Sequence, residues 1–392
     1  MKTRSLRVIG TSATLTEEIR RQAAIDLPFE INFEILDGVS CLRRGVMMPE
    51  SYDVYDQWFH SVDLLWTAGA IQPIDTKRIF RWPEVRIAGQ PVGASLGKGR
   101  NLAPQDRLYI QDDGTLGPKQ SSLSSPLISM LPTTYNMDSF AYTRELSAEL
   151  KDGELPSWAW LIDDRWHGRC TLSLDPASSV VELALAVRSA GLVDIENPAD
   201  LTIEEIDALF EVLMSRKRTG HFTRLWASTE DSARILAGTS CVIGSIWSPA
   251  FYTLRGMGQD VVYAAPVEGY RGWHAGLCLS ARIDDHTKDL AYAYLNWWLD
   301  GTPGAIMARQ GYYISVVEPL RATMSPAEWG YWYGGEQSTE RLPGSSGVTV
   351  VQPGELREGG SYLQRVSNVS VWSNIMSEQN YLERRWREFL DA

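Results

Sequence analysis

The stretch that decides the fold is SLRVIGTSATLTEEIRRQAAIDLPFEINFEIL, residues 5–36. Its beginning, LRVI at residues 6–9, predicts a short strand, and the charged segment at residues 16–24 predicts a helix. The segment FEINFEIL, residues 29–36, alternates apolar and polar side chains and predicts a second strand. Strand, helix and strand in this order make a βαβ unit, which favours an open, wound α/β sheet.

The same kinds of segment follow along the rest of the chain. Further strands are predicted at residues 52–55, 170–174, 242–247, 261–265 and 276–280. Further helices are predicted at residues 62–68, 178–190, 202–215, 290–299 and 381–390. Residues 89–121 are instead rich in Gly, Pro, Ser, Gln and Asp, which predicts an inserted loop or hairpin. The pattern predicts two α/β lobes with the chain passing between them more than once.

Composition excludes several classes of protein. The chain has 392 residues, 37 basic and 49 acidic, and a net charge of -12. It therefore lacks the general basic field that binds nucleic acid or an anionic membrane. No stretch approaches the roughly 18 to 20 apolar residues of a membrane-spanning helix, so we expect no membrane insertion of its own. Fifteen Trp and sixteen Tyr are an excess of aromatic rings with a polar edge, which are common at binding sites.

The beginning of the chain and its cysteines leave two questions open. The start, MKTRSLRVIG, lacks the apolar run of a secretory leader. It fits a native cytosolic start or a secreted protein whose leader has been removed. Four cysteines are widely spaced without a CxxC pair, which predicts buried free thiols or one disulfide in an oxidising compartment: Cys41, Cys170, Cys241 and Cys278.

The sequence offers little for catalysis. The five histidines include no pair at the spacing of a helical metal site, so we expect no metal and no cofactor. The GxSxG elbow of serine hydrolases is absent, and no Gly-rich stretch matches a phosphate-binding loop. The enzyme alternative is a hydrolase such as a glycosidase, which needs two carboxylates about 5 to 9.5 Å apart. Asp163, Asp164 and Asp175 are the candidates for that pair.

Aromatic residues lie near the ends of several predicted strands. The four that we single out are Trp58, Trp247, Trp273 and Tyr312. Each is expected in a short loop that directly follows a strand. Ligands of wound α/β sheets bind at the carboxyl ends of the strands. The four aromatic residues therefore predict the walls of a ligand cleft.

Several segments resemble one family of proteins. They are YDVYDQWFHSVDLLWTAGAIQPID at residues 52–75, GSIWSPAFY at 244–252, DVVYAAPVEGYRGWHAGLCLS at 260–280, and YAYLNWWLDGTPGAIMARQGYYISV at 292–316. Their order and spacing resemble the spermidine/putrescine-binding type of periplasmic solute-binding protein of ABC transporters. The resemblance covers nearly the whole chain except residues 89–121.

The resemblance implies a type II periplasmic binding protein fold, in which two α/β lobes close over a ligand. Lobe one would comprise residues 1–133 and 275–320, with the insertion at 89–121, and lobe two residues 134–274 and 321–392. Such a protein captures a small molecule and delivers it to an ABC transporter permease, without catalysis. We expect a periplasmic monomer whose leader has been removed. The alternative within this fold is a component of a ligand-sensing receptor.

The resemblance also assigns the cleft. The ligand-binding residues that it implies are Ser12, Trp58, Phe59, His60, Asp175, Trp247, Arg271, Trp273, His274 and Tyr312. Ser12 stands where the family has an aromatic residue, and Ala275 where it has an aspartate. The turn that begins at Asp175 keeps at most one carboxylate. The ligand is therefore expected to be an aromatic, mono-cationic or carboxylated solute rather than a simple polyamine, with Arg271 or His274 available for a carboxylate.

Overall fold

The computed structural model describes residues 5–87, 104–119, 127–238 and 240–392. Most of the insertion expected at residues 89–121 lies outside these ranges. Its described part, residues 104–119, contains an antiparallel hairpin of Tyr109–Ile110 and Leu116–Gly117.

The structure is a mixed α/β fold with one large sheet. The strands are β1 (Ser5–Gly10), β2 (Glu30–Ile35), β3 (Val54–Trp58), β4 (Ile71–Gln72), β5 (Ile74–Asp75), β6 (Tyr109–Ile110), β7 (Leu116–Gly117), β8 (Leu127–Ile128), β9 (Leu131–Thr143), β10 (Cys170–Ser173), β11 (Phe222–Trp226), β12 (Ile243–Ile246), β13 (Val261–Tyr263), β14 (Tyr270–Ser280), β15 (Tyr313–Ile314), β16 (Leu342–Pro343), β17 (Thr349–Val351) and β18 (Val369–Trp372). The helices are α1 (Glu17–Asp26), α2 (Gly38–Met47), α3 (Val62–Thr67), α4 (Pro176–Ser189), α5 (Ile203–Arg218), α6 (Thr229–Gly238), α7 (Ser248–Gly256), α8 (Asp285–Trp297), α9 (Gly301–Ala308), α10 (Val317–Thr323), α11 (Pro326–Trp329), α12 (Tyr362–Ser367) and α13 (Gln379–Asp391).

The βαβ unit predicted at the beginning of the chain is confirmed. β1 pairs in parallel with both β2 and β3, and α1 connects β1 to β2. Thr16 caps α1, since its hydroxyl accepts a hydrogen bond from the backbone N–H of Ile19. Ile19 and Ala23 are the buried face of this helix. This unit fixes the edge of the sheet from which Trp58, the last residue of β3, reaches the site described below.

A second parallel unit is formed by β10, β11 and β12. The helix α4 follows β10, and Asp175 caps it by accepting a hydrogen bond from the backbone N–H of Ala177. Thr202 and Glu205 form a capping box at the start of α5, where both of its reciprocal hydrogen bonds are present. A second hydrophobic core packs under this unit, and it includes the fully buried Trp158 and Trp166.

Two long antiparallel strands join the two parallel units. β9 and β14 have 13 and 11 residues and pair with each other over residues 131–138 and 271–277. The second half of β9 pairs with β12, and the second half of β14 pairs with β3. The strand predicted at residues 276–280 is therefore too short, because β14 begins at Tyr270. Polar residues in both strands interrupt the apolar pattern from which strands are predicted.

Two further expectations concern the cysteines and the membrane. All four cysteines are buried, and no disulfide joins them: Cys41, Cys170, Cys241 and Cys278. Among the described residues, no helix has the length and apolar character that a membrane span requires.

Candidate functional site

A pocket lies where the two parallel units meet at β9 and β14, the two long antiparallel strands that we call the crossing strands. Its side chains nearly fill it and leave a cavity of about 20 Å³, far below the range for small-molecule sites. The residues that line it are Ala13, Trp58, His60, Asp138, Asp175, Ala177, Ser178, Trp247, Arg271, Trp273 and Tyr312. They come from β3, β9, β14 and α4 and from the segments that follow β1, β3, β10, β12 and α9. The pocket is thus built by both units and not within one of them.

Two tryptophans face each other across the pocket. Trp58 ends β3, and Trp247 follows β12 and precedes α7. Their rings meet edge to face with centroids 6.0 Å apart. His60 stacks on Trp58 at 5.7 Å, and Trp226 packs behind Trp247 at 5.0 Å. Because these rings already touch, a solute can lie between them only if the two units separate.

Trp273 and Tyr312 form a second aromatic wall. Their rings meet at 5.3 Å and 89°, and only 4% and 1% of these residues is exposed. The indole Nε1 of Trp273 donates a hydrogen bond of 2.6 Å to Asp138 Oδ2. A buried hydrogen bond to a carboxylate holds the ring in one orientation. This wall is therefore fixed before any ligand arrives.

The floor of the pocket is a buried ionic network centred on Arg271. The register of the crossing strands places Arg271 directly opposite Asp138. The guanidinium donates to Asp138 Oδ2 at 3.0 Å, to Glu182 Oε1 at 2.9 Å and to Ser373 Oγ at 3.0 Å. Arg271, Asp138 and Glu182 are each at most 3% exposed. The single positive charge of Arg271 is therefore shared between two buried carboxylates.

Asp138 is fully occupied by protein donors. Besides Arg271 and Trp273, Asn136 donates to Oδ1 at 2.7 Å, and the Tyr263 hydroxyl donates to Oδ1 at 3.3 Å. Burial raises the pKa of Asp138, and the charge of Arg271 opposes that rise. Burial alone would lower the pKa of Arg271. Attraction to Glu182 and Asp138 exceeds this effect of burial, so the pKa of the guanidinium is raised. Four donors therefore leave Asp138 no free lone pair for a ligand, whereas Oε2 of Glu182 has no hydrogen-bond partner among the described residues.

Asp175 is the one pocket carboxylate that no basic side chain pairs with in the described part of the chain. It is half-buried and accepts hydrogen bonds from the backbone N–H of Ala177 at 3.3 Å and from Ser178 Oγ at 2.9 Å. Burial raises the pKa of Asp175. Burial and the charge of Arg271 lower the pKa of His60 to about 4, so this imidazole is neutral at pH 7. The accessible charge of the pocket is therefore negative.

The structure brings together seven of the ten predicted cleft residues and leaves three elsewhere. His274 follows Trp273 in β14, so it points to the opposite face of the sheet, where it packs against Tyr135 and Trp372. Phe59 is buried in the hydrophobic core. Ser12 lines a different cavity.

Other details of the sequence analysis are also corrected. Trp273 lies inside a strand, and Tyr312 precedes β15 instead of following a strand. The pocket holds a carboxylate that the sequence did not predict, because Asp138 lines it beside Asp175. Asp138 was missed because it lies in the part of β9 that the sequence pattern does not predict. Its two-residue spacing from Asn136 is the only signal that could have placed it on one face of a strand.

The proposed catalytic aspartates do not form a pair. Asp163 is bonded to Arg165 at 2.7 Å, and Asp164 forms an ion pair with Arg216. Of the three candidates, only Asp175 lines the pocket. In the portion of the chain that the structure describes, no group of three or more His, Cys, Asp or Glu residues could hold a metal ion.

Comparison with known proteins gives relatives by structure alone. No family model matches the sequence, and no curated protein matches it. The PotD-type lipoprotein Tp0655 of Treponema pallidum matches with a TM-score of 0.62 and 12% identity over 98% of this chain and 99% of its own. The spermidine/putrescine ABC transporter substrate-binding protein PotD of Streptococcus pneumoniae, solved with calcium and HEPES, matches with a TM-score of 0.61 and 10% identity over 99% of both chains.

A periplasmic binding protein with another kind of ligand matches equally well. AgtB of A. tumefaciens, solved with agropinic acid, has a TM-score of 0.59 and 13% identity over 100% of both chains. The chain has the two-lobed fold of the periplasmic substrate-binding proteins. The pocket described above is lined by residues of both parallel units of this fold.

Proposed function

We propose that this chain is the extracytoplasmic solute-binding protein of an ABC importer. It captures a small solute in the aromatic pocket and delivers it to the permease, and it performs no catalysis. The observation that carries this proposal is the aromatic pocket itself, which residues of both units line and which has four large aromatic side chains in its walls. A concave, mostly apolar site with a few fixed polar groups is typical of small-molecule binding.

We assign the lobes as the sequence suggested, to residues 1–133 with 275–320 and to residues 134–274 with 321–392. The boundaries at 133 and 274 fall inside β9 and β14, the two strands that run through both units. Small changes of backbone angle in a few residues of these strands would open and close the cleft. Opening separates Trp58 from Trp247 and admits the solute.

The solute that fits this pocket best carries one cationic group. Cations bind over the faces of Trp and Tyr rings, and desolvated sites make this attraction stronger. Asp175 supplies one further carboxylate at the edge of the pocket. A carboxylated solute fits less well, because Arg271 already donates to two carboxylates and His274 points away from the pocket.

The pocket offers too few free hydrogen-bond acceptors for the ammonium groups of a polyamine. Each ammonium that enters a desolvated site needs a carboxylate or several other acceptors. Asp138 and Glu182 are close, but both already pair with Arg271, whose single positive charge offsets part of theirs. From the sequence, polyamines are expected to bind poorly because acids are absent. The contacts of Arg271 support the same expectation for a different reason, namely that two of the three nearby acids already have a cationic partner.

Native mass spectrometry of the purified protein tests the proposal. We expect the wild type to retain a small solute, because closed clefts release their ligands slowly. Trp273→Ala removes a central wall and should weaken affinity by about 2 to 4 kcal/mol, enough to lose the solute during purification. Trp82→Ala is the matched control, since Trp82 packs on Tyr109 away from the pocket. Equal retention by both variants, or conversion of the bound compound to a product, would contradict the proposal.

A further inference from the structure

A second cavity, on the other side of α7, is lined by four arginines. It holds about 850 Å³ of empty space that is open to solvent. Its basic residues are Arg144, Arg255, Arg357 and Arg365. Its acidic residues are Glu355 and Glu358. This excess of positive charge stands on a protein whose net charge is -12.

Two of these arginines are buried without an acidic partner. Arg357 is 4% exposed and Arg365 is 1% exposed. Arg357 donates to the carbonyl oxygens of Trp332 and Gly311 at 2.8 and 2.5 Å. Among the described residues, neither guanidinium forms an ion pair with an Asp or Glu carboxylate. Buried charges in proteins are normally paired, so two adjacent unpaired cations require an explanation.

Arg365 keeps an unused donor. Its guanidinium donates to the carbonyl oxygens of Glu358 and Met137 at 2.6 and 2.9 Å and to the Tyr270 hydroxyl at 3.3 Å. Its Nε is buried and has no hydrogen-bond partner within the described ranges of the chain. The ring of Tyr270 lies 4.5 Å from this guanidinium and offsets part of its charge. A carbonyl or an aromatic ring does not neutralise a cation as an anion does.

The walls of the cavity are apolar and aromatic. They include Phe251, Tyr252, Val261, Val262 and Tyr331. At the rim, Arg144 is paired with Asp260 at 2.9 Å, with 58% and 63% of the two side chains exposed. A cavity with cationic donors inside and an apolar wall suits an anionic head group on an apolar body.

We propose that this cavity is a second binding site, for an organic anion with a carboxylate or phosphate head and an apolar body. The head lies against Arg357 and Arg365, and the body lies on the aromatic wall. This site is separate from the aromatic pocket between the lobes and does not depend on the identity of the solute that binds there.

Calorimetric titration with phenyl phosphate and with benzoate tests the proposal and separates the two kinds of head group. At constant ionic strength, we expect a dissociation constant below about 1 mM for one of them and no binding of the neutral benzyl alcohol. Arg357→Gln should weaken binding by about 10- to 100-fold, the effect of losing a charge-assisted hydrogen bond. Trp273→Ala should leave it unchanged. The absence of saturable heat with either anion, or sensitivity to Trp273→Ala instead, would overturn the proposal.

A rim variant keeps the test valid if Arg357→Gln does not fold. Asp260→Asn removes an exposed carboxylate and frees Arg144, so anion binding should tighten by about 3- to 10-fold. Asp231→Asn is the matched control, because Asp231 forms a similar surface pair with Arg234 in α6 outside this cavity. Equal affinities for wild type, Asp260→Asn and Asp231→Asn would contradict a cationic site here.

Discussion

At the scale of single residues, the account rests on how buried charges are satisfied. Arg271 forms ion pairs with two buried carboxylates. One of them, Asp138, also accepts a hydrogen bond from Trp273 and so orients its ring. The sequence predicted that Arg271 and Trp273 belong to the cleft. It could not show that they share Asp138, because the pairing of β9 with β14 joins residues more than 130 positions apart, as the hydrogen bond between Arg271 and Asp138 shows. Long-range register is not encoded in local spacing.

Asp56 gives a prediction about pH. This carboxylate is fully buried in β3, accepts a hydrogen bond from Thr14 at 2.8 Å, and its Oδ2 has no partner among the described residues. Burial raises its pKa to about 7 from 3.8. The folded state therefore binds more protons than the unfolded state between pH 4 and 7, so stability falls as pH rises through this window.

Replacement of Asp56 by Asn should remove this dependence. The neutral amide keeps the shape of the protonated acid and can still accept from Thr14. Between pH 4 and 8, the wild type should lose of the order of 4 kcal/mol more stability than Asp56→Asn. Urea unfolding at a series of pH values measures the difference. If both proteins show the same slope, Asp56 is not the buried acid responsible.

At the scale of elements, the crossing strands are what the sequence predicted least well. The βαβ unit, the helix α4 and the capping box of α5 could be predicted because their signals are local. β9 and β14 carry Asn136, Asp138, Arg271 and His274 among their buried residues. In the sequence alone, buried polar side chains that pair with each other cannot be distinguished from the polar residues of a loop. The same feature that hides these strands from prediction builds the floor of the pocket.

Gly276 tests how tightly the crossing strands pack. A Cβ at this position would lie 2.3 Å from the backbone oxygen of Leu131 in β9. Gly276→Ala should therefore push the strands apart and destabilise the protein by about 1 to 3 kcal/mol in chemical denaturation. Gly238→Ala, where a Cβ meets nothing within 4 Å, is the control and should be nearly neutral. Equal stability of both variants would show that the strands tolerate separation at this point.

At the scale of the whole molecule, the sequence resemblance predicted a two-lobed binding protein, and the structure confirms the fold. Identities of 10% to 13% to the solved proteins establish architecture but leave the ligand open. The overall charge of -12 does not decide the ligand either, since dispersed surface charge is screened within about 8 Å at physiological salt. Specificity depends on the few groups that line the pocket, and these are four aromatic side chains, Asp175 and the ionic network of Arg271.

Titration calorimetry with spermidine and putrescine tests the central claim most directly, namely that the pocket offers a site for one cation, because Arg271 already pairs with its second carboxylate, Asp138. Lost charge-assisted contacts of roughly 3 to 6 kcal/mol correspond to two to four decades of affinity. We therefore predict dissociation constants well above about 10 µM for both polyamines. A constant below about 10 µM for either one would contradict the account. It would mean that Asp138 or Glu182 releases Arg271 and pairs with the ligand instead.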